Sequence, residues 1–331
     1  MKAFNLLKAL GLLLGSLSGL AVGLALAADT AAAQGYPAKP VRLVVPFPAG
    51  SATDLAARIV GQQLSSTLGQ PFVIDNKPGA GGSIAAMEVI RAAPDGYTLL
   101  FSSNSAIASN VALLKKIPYD PNKDFSPVTG IGETALVLMV KSTSAPKTVQ
   151  ELVAYVKQRP AGKVSAGYGS STSQVSISML NKLAGLDTLP VPYKGIPLAV
   201  NDVLGGTLDY TFVDIGNALA QAKGGSMRAL GVTSIKRSAL SPDWPAIAET
   251  LPGFEVTAWF AVVGPAGLSK EVVDKLDTAT EQTLKQPDLK TRLATIGITP
   301  MPMPPDQLKI FIASEVTKWI RIVKDANIQP E

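Results

Sequence analysis

Residues Val41–Val60 read VRLVVPFPAGSATDLAARIV. An apolar run, Val41–Phe47, is stopped by Pro46 and Pro48. A loop of small residues follows, Ala49-Gly50-Ser51-Ala52-Thr53-Asp54, and a helical pattern then begins. The order strand, loop, helix gathers backbone N–H groups and hydroxyls at a helix N-terminus. Unpaired N–H groups and the helix dipole both favour negative charge there, so the stretch suits a small anion.

Upstream lies an apparent export signal. Lys2 and Lys8 form a basic start, and Leu10–Leu26 is apolar with only Gly and Ser interrupting it. Two small-residue cleavage sites follow, Ala25-Leu26-Ala27 and Ala31-Ala32-Ala33, of which the second is favoured. Residues 1–33 are therefore expected to be a cleaved signal peptide that sends the protein to the periplasm. An uncleaved anchor is the alternative, because the apolar run approaches spanning length. The remaining chain is long for one domain and comfortable for two.

Composition removes several chemistries. The sequence has no His and no Cys, which excludes Ser-His-Asp and Cys-His triads and most zinc sites. No HExxH, GxSxG or Walker lysine is present. No catalytic residue, cofactor or metal is expected. The net charge is a modest +5 and the basic residues are scattered, so nucleic acid is not expected as a partner. Lys77–Ser83 (KPGAGGS) matches two glycines of a dinucleotide loop, but Ile84 stands where the third should be. It reads better as a tight turn near the cleft.

The mature chain alternates strand-like and helix-like segments, which predicts parallel α/β sheets. Strands are expected at Val41–Phe47, Pro71–Asn76, Tyr97–Ser102, Ala135–Lys141, Lys163–Ala166, Thr188–Pro192, Asp209–Phe212, Arg228–Thr233 and Val256–Val263. Thr53–Leu68 is expected as a helix with Leu55, Ile59 and Leu64 on one side. Thr148 with Glu151 suggests a capping box. Ser173–Ala184 and a helix beginning near Asn217 follow, and Ser269–Ile296 and Pro305–Ala326 read as two long amphipathic helices. The chain is expected to leave a first lobe near Glu133 and return near Trp259. That gives lobe 1 as 36–134 plus 259–331 and lobe 2 as 135–258, with two crossing connections as a hinge.

Four polar loops fall at predicted strand ends: Ala49–Asp54, Ser102–Ser105, Gly167–Gln174 and Val213–Asn217. Ligands of open α/β sheets bind at the carboxyl ends of strands. Each loop alone is ordinary turn chemistry, but four of them rich in uncharged donors suggest a cleft. Candidate ligand contacts are Phe47, Ala49, Gly50, Ser51, Thr53 and Asp54; Ser102, Ser103 and Asn104; and Tyr168, Gly169, Ser170, Ser171, Ser173 and Gln174. A favourable charge near the helix dipole is enough to explain Asp54; the functional alternative is that it fixes the loop or orders waters that contact the ligand. Asp214 could accept from a ligand amine, hold a water, or cap the next helix. Lys194 could pair with a second ligand carboxylate or simply lie in solvent.

The sequence resembles the periplasmic solute receptors of tripartite tricarboxylate transporters, the Bug receptors. The resemblance rests on PFPAGSATDLAAR (46–58), LGQPFVIDNKPGAGGSIAA (68–86), APDGYTLLFSSNS (93–105), PYDPNKDFSPVT (118–129), SAGYGSSTSQ (165–174), VPYKG (191–195), GTLDYTFVD (206–214), MRALGVTSIKRS (227–238), WFAVVGPAG (259–267) and EVTKWIRIVKDANI (315–328). It implies an α/β fold of the two-lobed type II periplasmic-binding-protein kind, closing on its ligand like a flytrap. It also implies that Phe47–Asp54 hold a ligand carboxylate through backbone, hydroxyls and ordered waters, with an integral-membrane permease as partner. Two departures stand out. Gln174 occupies a position where many members carry His, and Ser51 stands where a second glycine is common. The ligand class is then a small carboxylate: a mono- or dicarboxylate, an amino acid or an aromatic acid. A carboxylate sensor signalling through a membrane partner, or a hydrolase or transferase in the same cleft, are the alternative functions.

Overall fold

The computed structural model describes residues 35–326 and 328–330; the predicted signal peptide, 1–33, lies outside them. Pro40–Glu331 form one compact unit. Among the described residues no helix is long and apolar enough to cross a membrane.

Two mixed sheets share one strand. The first has the order β2 (Phe72–Asn76), β1 (Val41–Val45), β3 (Thr98–Ser103), β9 (Thr257–Pro265), β4 (Phe125–Lys141) and β10 (Thr299–Met303). The second uses the far half of β4. It sits between β8 (Met227–Val232) and β7 (Tyr210–Asp214), and β5 (Ser165–Tyr168) and β6 (Leu189–Pro192) follow outward. The partners of β4 change within two residues: Ala135 faces Thr257, and Leu136 faces Asp214. These two sheets and their helices are the two lobes.

The expected parallel pairing holds within β1–β3 and within β5–β7, but β4 and β9 run antiparallel to their neighbours. β4 is also longer than expected, because Phe125–Thr134 is strand. The single helix expected over Ser269–Ile296 is two, α8 (Lys270–Lys285) and α9 (Pro287–Thr295). Pro287 forces Gln286 out of the helical region, to ψ 131°, and starts a new helix.

Helix α1 (Ala52–Leu68) buries Ala56, Ala57, Val60, Gly61 and Leu64. Leu55 and Ile59 are only half-buried, so small residues set its approach to the sheet. The remaining helices are α2 (Ser83–Ile90), α3 (Asn110–Leu113), α4 (Val149–Lys157), α5 (Ser171–Ala184), α6 (Ile196–Gly205), α7 (Ile215–Lys223) and α10 (Pro305–Asp325). Thr148 caps α4 by accepting from the Glu151 N–H at 3.1 Å. The Glu151 carboxylate accepts from the Lys147 N–H and not from Thr148, so the expected box is completed one residue early.

A two-lobed polar cleft fed by four helix N-termini

The first loop is held by Asp54, which is 1% exposed. Its carboxylate accepts from the Gly50 N–H at 2.9 Å, from Asn76 Nδ2 at 2.9 Å and from the Arg58 guanidinium. Asn76 Nδ2 also donates to the Phe47 carbonyl, tying both ends of the loop to one amide. Ser51 is the N-cap of α1 and accepts from the Asp54 N–H at 3.3 Å. Asp54 thus fixes the loop and does not line the cleft.

The second loop leaves β3 at Ser103 and enters a π-turn, Ser105–Ser109, a local irregularity that often marks functional sites. The third leaves β5 and starts α5. Ser170 caps that helix in a reciprocal pair with Ser173, whose hydroxyl accepts from the Gly169 and Ser170 N–H groups. The fourth starts α7, two residues before the expected Asn217. Asp214 is its N-cap, yet its side chain makes no capping bond.

These loops line a narrow inner chamber, with a cavity volume of about 20 Å³. It is lined by Phe47, Ser51, Ala52, Thr53, Ser103, Gly169, Ser170, Thr172, Ile196, Asp214, Ala258 and Phe260. The first-turn or capping residues of α1, α5, α6 and α7 all reach it, so four helix dipoles present their positive ends to one space. Among the described residues, Asp214 is the only ionisable one in the lining. Burial pushes its carboxyl up to about 6, and only its own backbone N–H opposes that rise.

An outer chamber of about 330 Å³ shares Phe47, Gly169 and Ser170 with the inner one. Its other walls include the Gly79–Gly82 turn, Asn110, Tyr168, Ser171, Gln174, Tyr193 and Lys194. Lys194 is exposed at its rim. Burial raises the Tyr193 phenol to about 12, helped by its 2.5 Å bond to Asp202.

The remaining candidates lie off both chambers. Ala49 and Gly50 are exposed, and the Gly50 carbonyl accepts from Asn217 Nδ2 of the other lobe at 3.3 Å. Ser102 turns back to donate to the Ser103 carbonyl. Asn104 meets Thr172 across the cleft at 3.2 Å, and Ser173 stays within its cap. Ala52, Thr172, Ile196, Ala258 and Phe260 are not among the sequence candidates; Ala52 and Thr172 lie within the first and third loops, Phe260 within WFAVVGPAG, and Ile196 and Ala258 directly beside VPYKG and WFAVVGPAG.

Two α/β lobes joined through a shared strand and closed on a polar chamber define the periplasmic binding proteins. Within that class the chain belongs to the tripartite tricarboxylate transporter family receptors, whose family model (TctC) matches residues 56–328. It is 34% identical to protein BugT of Bordetella pertussis over 93% of this chain and 96% of that one. Among solved structures, the periplasmic binding protein BugD superposes with a TM-score of 0.85 at 33% identity, covering 89% of this chain and all of that one. An R. palustris protein solved with adipate gives 0.87 at 32%, with the same coverages. MatC from Rhodopseudomonas palustris, solved with malate, gives 0.82 at 34%, covering 87% of this chain and all of that one. Receptors of this family are periplasmic solute-binding proteins.

Proposed function

We propose that this receptor captures a small organic carboxylate in its inner chamber and passes it unaltered to an integral-membrane permease. The observation that carries the reading is the convergence of α1, α5, α6 and α7 on a chamber walled by Ser51, Thr53, Ser103, Ser170 and Thr172. Dipoles and neutral donors can hold a carboxylate without a basic side chain. Solved relatives holding adipate and malate support the same class.

In this reading the first loop grips the carboxylate, and the body of the ligand extends past Phe47 toward Tyr168 and Gln174. Lobe 2 comprises 135–258, and lobe 1 the described segments on either side. The hinge is the pair of crossings at Ala135 and Thr257. Hinge closure joins both lobes over the ligand and creates the surface that the permease reads. Residues 1–33 direct export and are removed.

A thermal-shift screen of mono-, di- and tricarboxylates, amino acids and aromatic acids tests this, because a bound ligand raises the melting temperature by mass action. At least one acid is expected to bind and to be recovered unchanged after long incubation. Turnover, or a screen without a hit, would overturn the proposal.

A further inference from the structure

Asp214 is 7% exposed and lines the inner chamber, yet no other described residue donates a hydrogen bond to its carboxylate. An aspartate at an N-cap ordinarily accepts from the N–H groups of the first turn. Here the backbone at −54°, 137° begins α7 without that bond, and the carboxylate is left to the chamber. Buried polar groups in native proteins find partners, and a lone buried carboxylate is especially unfavourable. Among the described residues no Lys or Arg lines this chamber, so no charged side chain in its wall pairs with the carboxylate.

A ligand carboxylate makes the mismatch worse if it comes alone. Two carboxylates within one small, poorly solvated chamber repel, and four helix N-termini can each be occupied only once. The conflict disappears when the ligand brings its own donor. A hydroxyl or ammonium on the adjacent carbon would give Asp214 a donor other than its own backbone N–H while the carboxylate keeps the helix dipoles.

We propose that Asp214 makes this site select acids with a hydrogen-bond donor beside the bound carboxylate, namely 2-hydroxy or 2-amino acids, over the unsubstituted acid. The inference rests on the carboxylate-receptor reading and adds a substituent rule to it. The burial-driven rise of the Asp214 pKa is consistent with a carboxylate waiting for a donor.

The test is calorimetry at pH 7.5 on matched triplets that differ only at the second carbon. The probes are propionate, lactate and alanine; succinate, malate and aspartate; and glutarate, 2-hydroxyglutarate and glutamate, with adipate as a longer control. In whichever series binds, a donor-bearing acid is expected to bind at least tenfold tighter than its unsubstituted parent. Asp214→Asn, whose amide can itself donate, is expected to shrink that ratio at least fivefold and to tighten the parent acid. Equal or tighter binding of the parent by wild type, or an unchanged ratio in Asp214→Asn, overturns the inference and leaves the receptor reading standing. If no acid binds at all, the receptor reading itself falls, and this inference with it. Should Asp214→Asn fail to fold, the wild-type ratios alone decide.

Discussion

The hydroxyl of Ser109, at the end of the π-turn, lies 2.6 Å from that of Ser171, at the start of α5. Ser171 also meets the Ser105 hydroxyl at 2.8 Å, so one side chain of the second lobe is clasped by two of the first. All three residues are buried. The contact bridges the two lobes across the cleft, so its loss is expected to act on closure. Ser171→Ala removes two such bonds, each contributing about 1 kcal/mol net. Ligand affinity is expected to fall roughly tenfold to thirtyfold, with little change in the melting temperature of the free protein. Calorimetry beside a ligand-free melt decides it, and wild-type affinity would rule out the clasp.

Gly195 precedes α6 and packs on Pro48 of the opposite lobe. A Cβ added there would sit 2.5 Å from Pro48 Cδ. Its backbone is extended, at φ 179°, so alanine is tolerated locally and only closure is obstructed. Gly195→Ala should therefore fold normally and hold the lobes ajar. Small-angle scattering with saturating ligand is expected to retain the larger radius of the free form. Full compaction of the variant would refute this.

The Asp214 carboxyl titrates near 6 in the folded protein, against 3.8 when unperturbed. Between those values the folded state holds a proton that the unfolded state has lost, so protonation stabilises the fold. The contribution is complete below pH 3.8 and disappears as pH rises through 6. Wild type should lose up to about 3 kcal/mol relative to Asp214→Asn between pH 4 and pH 7.5. Urea denaturation of both proteins across that range gives the difference. A flat difference would show that burial does not perturb this carboxyl.

Thr53 is 4% exposed and faces the inner chamber from the first turn of α1. Thr53→Val keeps the shape and removes the hydroxyl. Binding of the best acid from the screen should weaken at least tenfold while the melting temperature holds within a few degrees. Unchanged binding would move the carboxylate away from this loop.

Glu315 on α10 accepts from two indoles, Trp259 Nε1 at 2.7 Å and Trp319 Nε1 at 3.1 Å. It is 4% exposed. Glu315→Ala strands both donors, and the expected loss is about 3 kcal/mol. Glu315→Gln keeps an acceptor and should lose less. Equilibrium unfolding followed by tryptophan emission separates the two.

Local chemistry was legible in the sequence. The cap at Thr148 and the loop after β1 depend on neighbours in the chain, and they stand where the residues suggested. The near half of β4 was hidden because Pro127, Gly130 and Gly132 argue against a strand interior. Long-range packing explains Gly130, where a Cβ would lie 2.7 Å from that of Met303 on β10. Ala258 and Phe260 reach the inner chamber because β9 inserts between β3 and β4, a register that no local pattern encodes. Asp214 was identified as a candidate, but only coordinates separate a capping carboxylate from one left facing the chamber.

That insertion bears on how the protein is made. β3 and β4 leave the ribosome long before Thr257–Pro265, the strand that fills the gap between them. A nascent chain stopped before Thr257 carries an open seam in its first sheet, and so cannot complete it. The first sheet is therefore sealed late in synthesis, by a strand far along the chain from the two it joins, and such non-local pairing delays folding.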